Sequence, residues 1–296
     1  EVITLGRSFI RGVPHMKHTI QHKGDIAASS AMRDERQSAL TSNLITRAMA
    51  PLLFLILFIM IWEIAVRLFK IPSYLVPSPT IVSVTILKNL TSLLMDSAVT
   101  LFEAVLGFML GTLLAFFVAV LFVHSQIIER SVSPYFVALQ AVPIVATAPL
   151  LIIWFGNGLF SKVVMAAMIC FFPMVVNSAA GLKSISENEL DLMRLFSANP
   201  SQIFFKLRLP ASLPFLFSGL KISATLSVIG AVVAELAGAT KGLGFQILMS
   251  SYQTDTPFLF AAVMFSALIG ILFFSSIVLL EKLLTRHGRM FHNPEK

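Results

Sequence analysis

Ser186–Pro210, SENELDLMRLFSANPSQIFFKLRLP, is the one long polar interruption in the C-terminal half of an otherwise apolar sequence. Its local chemistry spells two short helices back to back. Ser186 and Glu189 have capping-box spacing, so each can satisfy a backbone N–H that the other leaves orphaned. Glu187, Glu189 and Asp191 place negative charge where the helix dipole favours it. Leu192, Leu195 and Phe196 share one face at i, i+3, i+4, while Asp191 and Arg194 point elsewhere. Asn199-Pro200 stops this helix and starts the next, with Asn as N-cap, Pro at N1 and Gln202 at N3. Leu209-Pro210 is expected to end the second helix. Two capped amphipathic helices between apolar segments need something outside the bilayer to cover their apolar face, and another protein is the expected cover.

Working outward, composition sets the class. Of the 296 residues, 56 % are hydrophobic and 12 % charged, and the mean hydropathy is +0.86. A soluble domain carries roughly 25 % charge, so the chain reads as an all-α, polytopic membrane protein. The single cysteine, Cys170, excludes a disulfide framework or a cysteine metal site. The net charge of +7 reports topology here and does not argue for nucleic acid.

A span needs about 20 apolar residues, and six segments qualify. They are about Ala48–Phe69, Ala98–Val123, Pro134–Phe155, Ser161–Gly181, Phe217–Gly238 and Phe258–Leu280. The domain reading is a polar N-terminal tail over 1–45, a membrane domain over 46–283 and a C-terminal tail over 284–296. Within it, 184–218 forms the loop. An amphipathic stretch, Ile81–Met95, is expected along the outer surface. Gly107 and Gly111 have GxxxG spacing for close helix packing. Pro143 and Pro149 are expected to kink or break the third span twice.

Six spans put both termini on one side. All Lys and Arg residues then fall on that side except Arg67, Lys70, Lys88, Lys162 and Lys241. The bias makes both ends and the Ser186–Pro210 loop cytoplasmic.

The stretch Asp191–Pro210 resembles the EAA loop of binding-protein-dependent ABC importer permeases. Asp191-Leu192-Met193 takes the E-A-A place, Ser197-Ala198 the G-A place, and Leu209-Pro210 the closing L-P. Asp stands for Glu, Leu-Met for Ala-Ala, and Ser for Gly. The family's glycine lets the two short helices pack closely, which Ser197 calls into question. Ala141-Val142-Pro143 through Pro149-Leu150, Trp154-Phe155-Gly156 and Ser161-Lys162 resemble the nitrate/sulfonate/taurine branch. Leu75–Thr80, and Ala234-Glu235 followed by Gly242-Leu243-Gly244, are similar to the same branch. Glu103 stands near a place where that branch often has a basic residue. The run LQAVPIVATAPLLIIWFG, residues 139–156, is also similar to permeases assigned to thiamine-pyrimidine precursor or riboflavin uptake.

The resemblance implies a type I ABC importer permease fold, a non-catalytic role, and a cell (inner) membrane location. Implied partners are a dimer of ABC ATPase subunits, a second permease copy (a homodimer or a close relative), a periplasmic or lipid-anchored binding protein, and membrane lipid. The implied ATPase-coupling residues are Glu189, Asp191, Leu192, Met193, Arg194, Leu195, Phe196, Ser197 and Ala198. ATP and Mg are expected on the ATPase and no cofactor on this chain. No Gly-x-x-x-x-Gly-Lys-Ser/Thr occurs; Gly156–Lys162 (GNGLFSK) has the wrong spacing. Polar residues at membrane depth are the candidates for the substrate pathway: Gln140, Thr147, Asn177, Ser223, Thr225, Ser227 and Glu235. Helix–helix hydrogen bonding competes with that role at each. A carboxylate facing the pathway at Glu235 would disfavour anionic substrates. The substrate class stays open between a thiamine-pyrimidine precursor or riboflavin and a sulfonate- or nitrate-like anion.

Two other classes compete. An ion-coupled secondary transporter would need coupling-ion sites at the midplane, commonly on inverted repeats, and the sequence offers neither a repeat nor a carboxylate cluster. A membrane enzyme would need converging His, Asp or Glu groups, yet the six histidines lie in the tails or in one turn, at His124.

Overall fold

The computed structural model of the chain describes residues 49–286. The chain divides into two units, Glu1–Ala65 and Val66–Lys296. The described residues of the first are helical and belong to α1, Met49–Leu68. The second unit holds α2 (Pro79–Lys88), α3 (Leu90–His124), α4 (Gln126–Gln140), α5 (Ile144–Phe155), α6 (Leu159–Leu182) and α7 (Glu187–Leu195). It continues with α8 (Pro200–Ile203), a π-helical turn (Phe204–Arg208), α9 (Leu209–Gly238), α10 (Leu243–Tyr252) and α11 (Thr256–Arg286). Residues 1–48 and 287–296, which take in most of the expected tails, lie outside the described residues. α11 runs to Arg286, three residues into the expected C-terminal tail.

The core of the second unit is α6 held between α3 and α9. Small residues make this possible. A Cβ on Gly107 of α3 would meet the Val163 carbonyl oxygen of α6 at 2.8 Å, and one on Gly111 would sit 2.9 Å from Ala167 Cα. On the opposite side a Cβ on Gly230 of α9 would lie 2.7 Å from Ala166 Cα. Backbones therefore touch where lipid-like side chains offer no hydrophobic gain over the bilayer, and van der Waals contact supplies the attraction. The GxxxG spacing thus has a named partner, Ala166-Ala167. α11 packs on α9, α10 and α2.

Five helices are long and apolar enough to cross a membrane among the described residues: α1, α3, α6, the run Pro200–Gly238, and α11. The expected third span is not one helix. It breaks at Ala141–Pro143 between α4 and α5, and Pro149 stays inside α5. Pro143 has no N–H to extend α4 and biases Val142 away from helix. At 12 residues, α5 is about 18 Å long, short of a hydrocarbon core of about 30 Å.

Two further expectations need correcting. The stretch Ile81–Met95 is not one surface helix. Asn89 closes α2, donating from Nδ2 to the Thr85 carbonyl at 3.0 Å, and Leu90 opens α3, so Leu93 is fully buried. Leu209-Pro210 does not end the second loop helix either. Proline would clash with the carbonyl four residues back and has no donor for it. Here the chain widens into a π turn over Phe204–Arg208, with the Leu209 N–H bonding the Phe204 carbonyl. The helix then runs on unbroken from Pro200 to Gly238.

Candidate functional site

The loop between α6 and α9 is built by local bonds. Ser186 Oγ accepts from the Glu189 N–H at 3.3 Å, and Glu189 Oε2 accepts from the Ser186 N–H at 2.9 Å. Asn199 and Gln202 repeat this reciprocal cap at 2.8 and 2.9 Å. The carboxylate of Glu189 is therefore spent on the cap. Asp191 and Arg194 pair with each other at 2.9 Å, both exposed, a contact worth about 0–1 kcal/mol. The apolar side chains divide by face. Leu190 and Met193 are half-buried against the chain. Leu192, Leu195 and Phe196 face outward, at 55 %, 81 % and 78 % exposure.

Ser197 has φ +53°. Its N–H bonds the Arg194 carbonyl at 2.8 Å, and the Ala198 N–H bonds the Met193 carbonyl at 3.0 Å. That is a Schellman ending to α7, with Ser197 at the position where glycine avoids the left-handed penalty. A glycine would meet this backbone requirement freely, and Ser197 meets it at a conformational cost. Three contacts tie the loop to the helices around it. Arg208 Nη1 donates to the Leu182 carbonyl at 3.2 Å, the His124 and Phe204 rings lie 5.9 Å apart, and Lys183 pairs with Glu129 of α4.

At the other end of α9 the polar groups are satisfied across elements. Gly242, Leu243 and Gly244 open α10, where the first N–H groups of a helix have no partner of their own. Gly242 has no side chain to cap them. The Gly242 N–H donates to Asp96 Oδ1 at 2.9 Å, the Leu243 N–H to Thr100 Oγ1 at 2.9 Å, and the Gly244 N–H to Glu235 Oε2 at 2.6 Å. Thr100 in turn donates to Glu235 Oε1 at 2.7 Å, and Gln246 Nε2 donates to Asp96 Oδ2 at 2.7 Å. Two carboxylates from α3 and α9 thus cap α10 in trans, where the dipole favours negative charge. Nearby, Glu103 pairs with Lys162 at 3.5 Å, and both are buried. The charge of Lys162 is thus answered inside the helix core.

Comparison with known proteins fits this architecture. Residues 107–286 match the family described as the binding-protein-dependent transport system inner membrane component. The chain belongs to that family. It is 37 % identical to the formylaminopyrimidine transport permease protein ThiX of Halalkalibacterium halodurans, over 80 % of this chain and 95 % of that one. It is 35 % identical to the riboflavin transport system permease protein RibX of Chloroflexus aurantiacus, over 78 % of this chain and 87 % of the relative. A putative aliphatic sulfonates transport permease protein, SsuC of Bacillus subtilis, is 30 % identical over 80 % and 87 %. The protein is a multi-pass membrane permease component of an ABC importer for small substrates, and it is not itself an enzyme.

In this permease the pathway candidates separate. Ser223 and Ser227 are fully buried. Ser223 Oγ donates to the Cys170 carbonyl at 3.2 Å and Cys170 Sγ to the Ser223 carbonyl at 3.1 Å, a reciprocal α6–α9 bond. Ser227 bonds the Ala224 carbonyl of its own helix. Asn177 donates to the Pro173 carbonyl at 2.8 Å and is half-buried against Gly219. Glu235 is fully buried and committed to α10, so its charge does not face a substrate within this chain. Thr147 and Thr225 differ. Thr147 lies with Phe171 and Phe172 on an apolar groove of about 460 Å³ between α3, α5 and α6. Thr225 lies on a second, of about 550 Å³, between α9 and α11. The side chain of Gln140 lies outside the described residues. Sequence reading missed Asp96 and Thr100; the paired glycines at 242 and 244 were the signal that something approaches closely there.

Proposed function

We propose that the exposed face of α7, Leu192, Leu195 and Phe196, docks into a cytoplasmic ABC ATPase, and that closure of the ATPase dimer drives the permease cycle. ATP and Mg²⁺ are bound by that partner. A second copy of the permease completes the translocation unit, both termini are cytoplasmic, and a binding protein delivers substrate from the opposite side. The observation that carries this reading is the combination of stiffness and exposure. Capped at both ends, α7 presents three large apolar side chains and keeps none buried. It is followed by a helix that runs unbroken into the bilayer. A capped helix transmits displacement, whereas a flexible loop absorbs it. Leu195→Asp is expected to abolish co-purification of the ATPase while leaving membrane insertion and thermal stability unchanged. A buried anchor at such an interface is worth about 2 kcal/mol or more. Retained ATPase binding by this variant would refute the docking face.

The substrate we infer is a small nitrogen heterocycle of the pyrimidine-precursor or flavin kind. Support comes from the two relatives named for such compounds and from the groove carrying Thr147, whose lining holds Phe171 and Phe172 but no charged side chain. Uptake competition decides it: a formylated aminopyrimidine should compete and an alkyl sulfonate should not.

A further inference from the structure

The geometry points to Asp96, Thr100 and Glu235 as positioning residues that clamp the start of α10 to α3 and α9 throughout the transport cycle. The inference rests on the ATP-driven cycle proposed above. The bonds involved are short, buried and mutually dependent. Thr100 uses one hydroxyl to accept from Leu243 and donate to Glu235, so removing it unpairs a backbone N–H and a carboxylate oxygen together. An unpaired buried polar group carries the full cost of its desolvation.

The turn leaves no slack. Gly242 has φ +104°, and a Cβ there would strike the Glu235 carboxylate. A Cβ on Gly244 would lie 2.7 Å from Glu235 Cβ. Backbone and carboxylate are in contact because both residues lack side chains. Lys162 and Glu103 add α6 to the same buried region. The outer parts of α3, α6, α9 and α10 therefore form one block. The joint that yields lies elsewhere, at the Ala141–Pro143 break between α4 and α5, where Pro143 has no N–H to carry a helical bond across. Substrate passage then changes the position of α5 relative to the block, and the α10 turn does not lift.

A disulfide tests this directly. In a Cys170→Ala background, Asp96→Cys with Gln246→Cys replaces a side-chain contact between α3 and α10 by a covalent one in the permease–ATPase complex. A second pair, Thr147→Cys with Met165→Cys, spans α5 and α6, where the Thr147 hydroxyl and the Met165 sulfur lie 3.6 Å apart. The first pair should cross-link equally in the nucleotide-free and the MgATP–vanadate states, and the bridged complex should keep its ATPase turnover. The second pair should cross-link differently in the two states. Cross-linking of the first pair in one state alone, or loss of turnover on bridging, overturns the clamp. Absence of any cross-link in membranes does so as well. Thr100→Val, with no hydroxyl, should lower turnover by about tenfold, the equivalent of 1.4 kcal/mol, and Thr100→Ser should restore it; equal activities would overturn the clamp even if a cysteine variant fails to fold. Loss of ATPase association in the unmodified protein would refute the coupling proposal instead, and the membrane cross-link would still report on the clamp.

Discussion

The helix from Pro200 to Gly238 has two ends built on opposite principles. At its start, every cap is local: Ser186 bonds Glu189, Asn199 bonds Gln202, and Ser197 and Ala198 return to Arg194 and Met193. At its finish the bonds are remote. Gly242 reaches Asp96 across 146 residues and Thr100 reaches Glu235 across 135. Locally capped structure can stand on the surface and offer an uncovered apolar face. Remotely capped structure exists only while its helices stay together. In the proposed cycle, one end takes the push of a partner and the other holds its neighbours still.

Breaking the far end should have the larger effect. Gly242→Ala forces a side chain into a left-handed backbone and against a carboxylate, and is expected to cost about 3 kcal/mol of stability. A thermal melt of the purified permease should show a clear drop; an unchanged melt would mean the turn is loose. Ser186→Ala removes one cap at the loop end, worth about 1 kcal/mol. Because α7 buries none of its residues, the global melt should stay put. Amide exchange over 187–195 should quicken, and ATPase affinity should fall about fivefold. A drop in the global melt would show that the loop is not independent. Ser197→Gly relieves the φ of +53° and should stabilise the α7 terminus by about 1 kcal/mol. Slower exchange at the Ala198 amide would register it; faster exchange would mean that glycine's flexibility outweighs the relief.

The same contrast governs what the sequence makes legible. The caps of α7 and α8 follow from residues three apart, so they can be read directly. Pro210 misleads, because a π turn absorbs a proline that local rules take as a stop. Pro143 and Pro149 look alike in sequence, yet only Pro143 breaks the chain. Gly107 and Gly111 announce close packing without naming Ala166 and Ala167 as its object. Glu235 stands out as a carboxylate at membrane depth, but of its partners only the Gly244 N–H is near in sequence, while Thr100 lies 135 residues earlier and no spacing encodes it. The structure places Glu235 beneath the first turn of α10, bonded to Gly244 and Thr100. Asp96 and Thr100 look like ordinary early positions of a span until the fold brings α10 against them.

The most direct test of the lever is a photo-cross-linking amino acid placed at Leu195 in the intact transporter. The account predicts a covalent product with the ATPase subunit, formed in native membranes and reduced about fivefold when Ser186 is replaced by alanine. Products with lipid alone, while the ATPase still co-purifies, would contradict it.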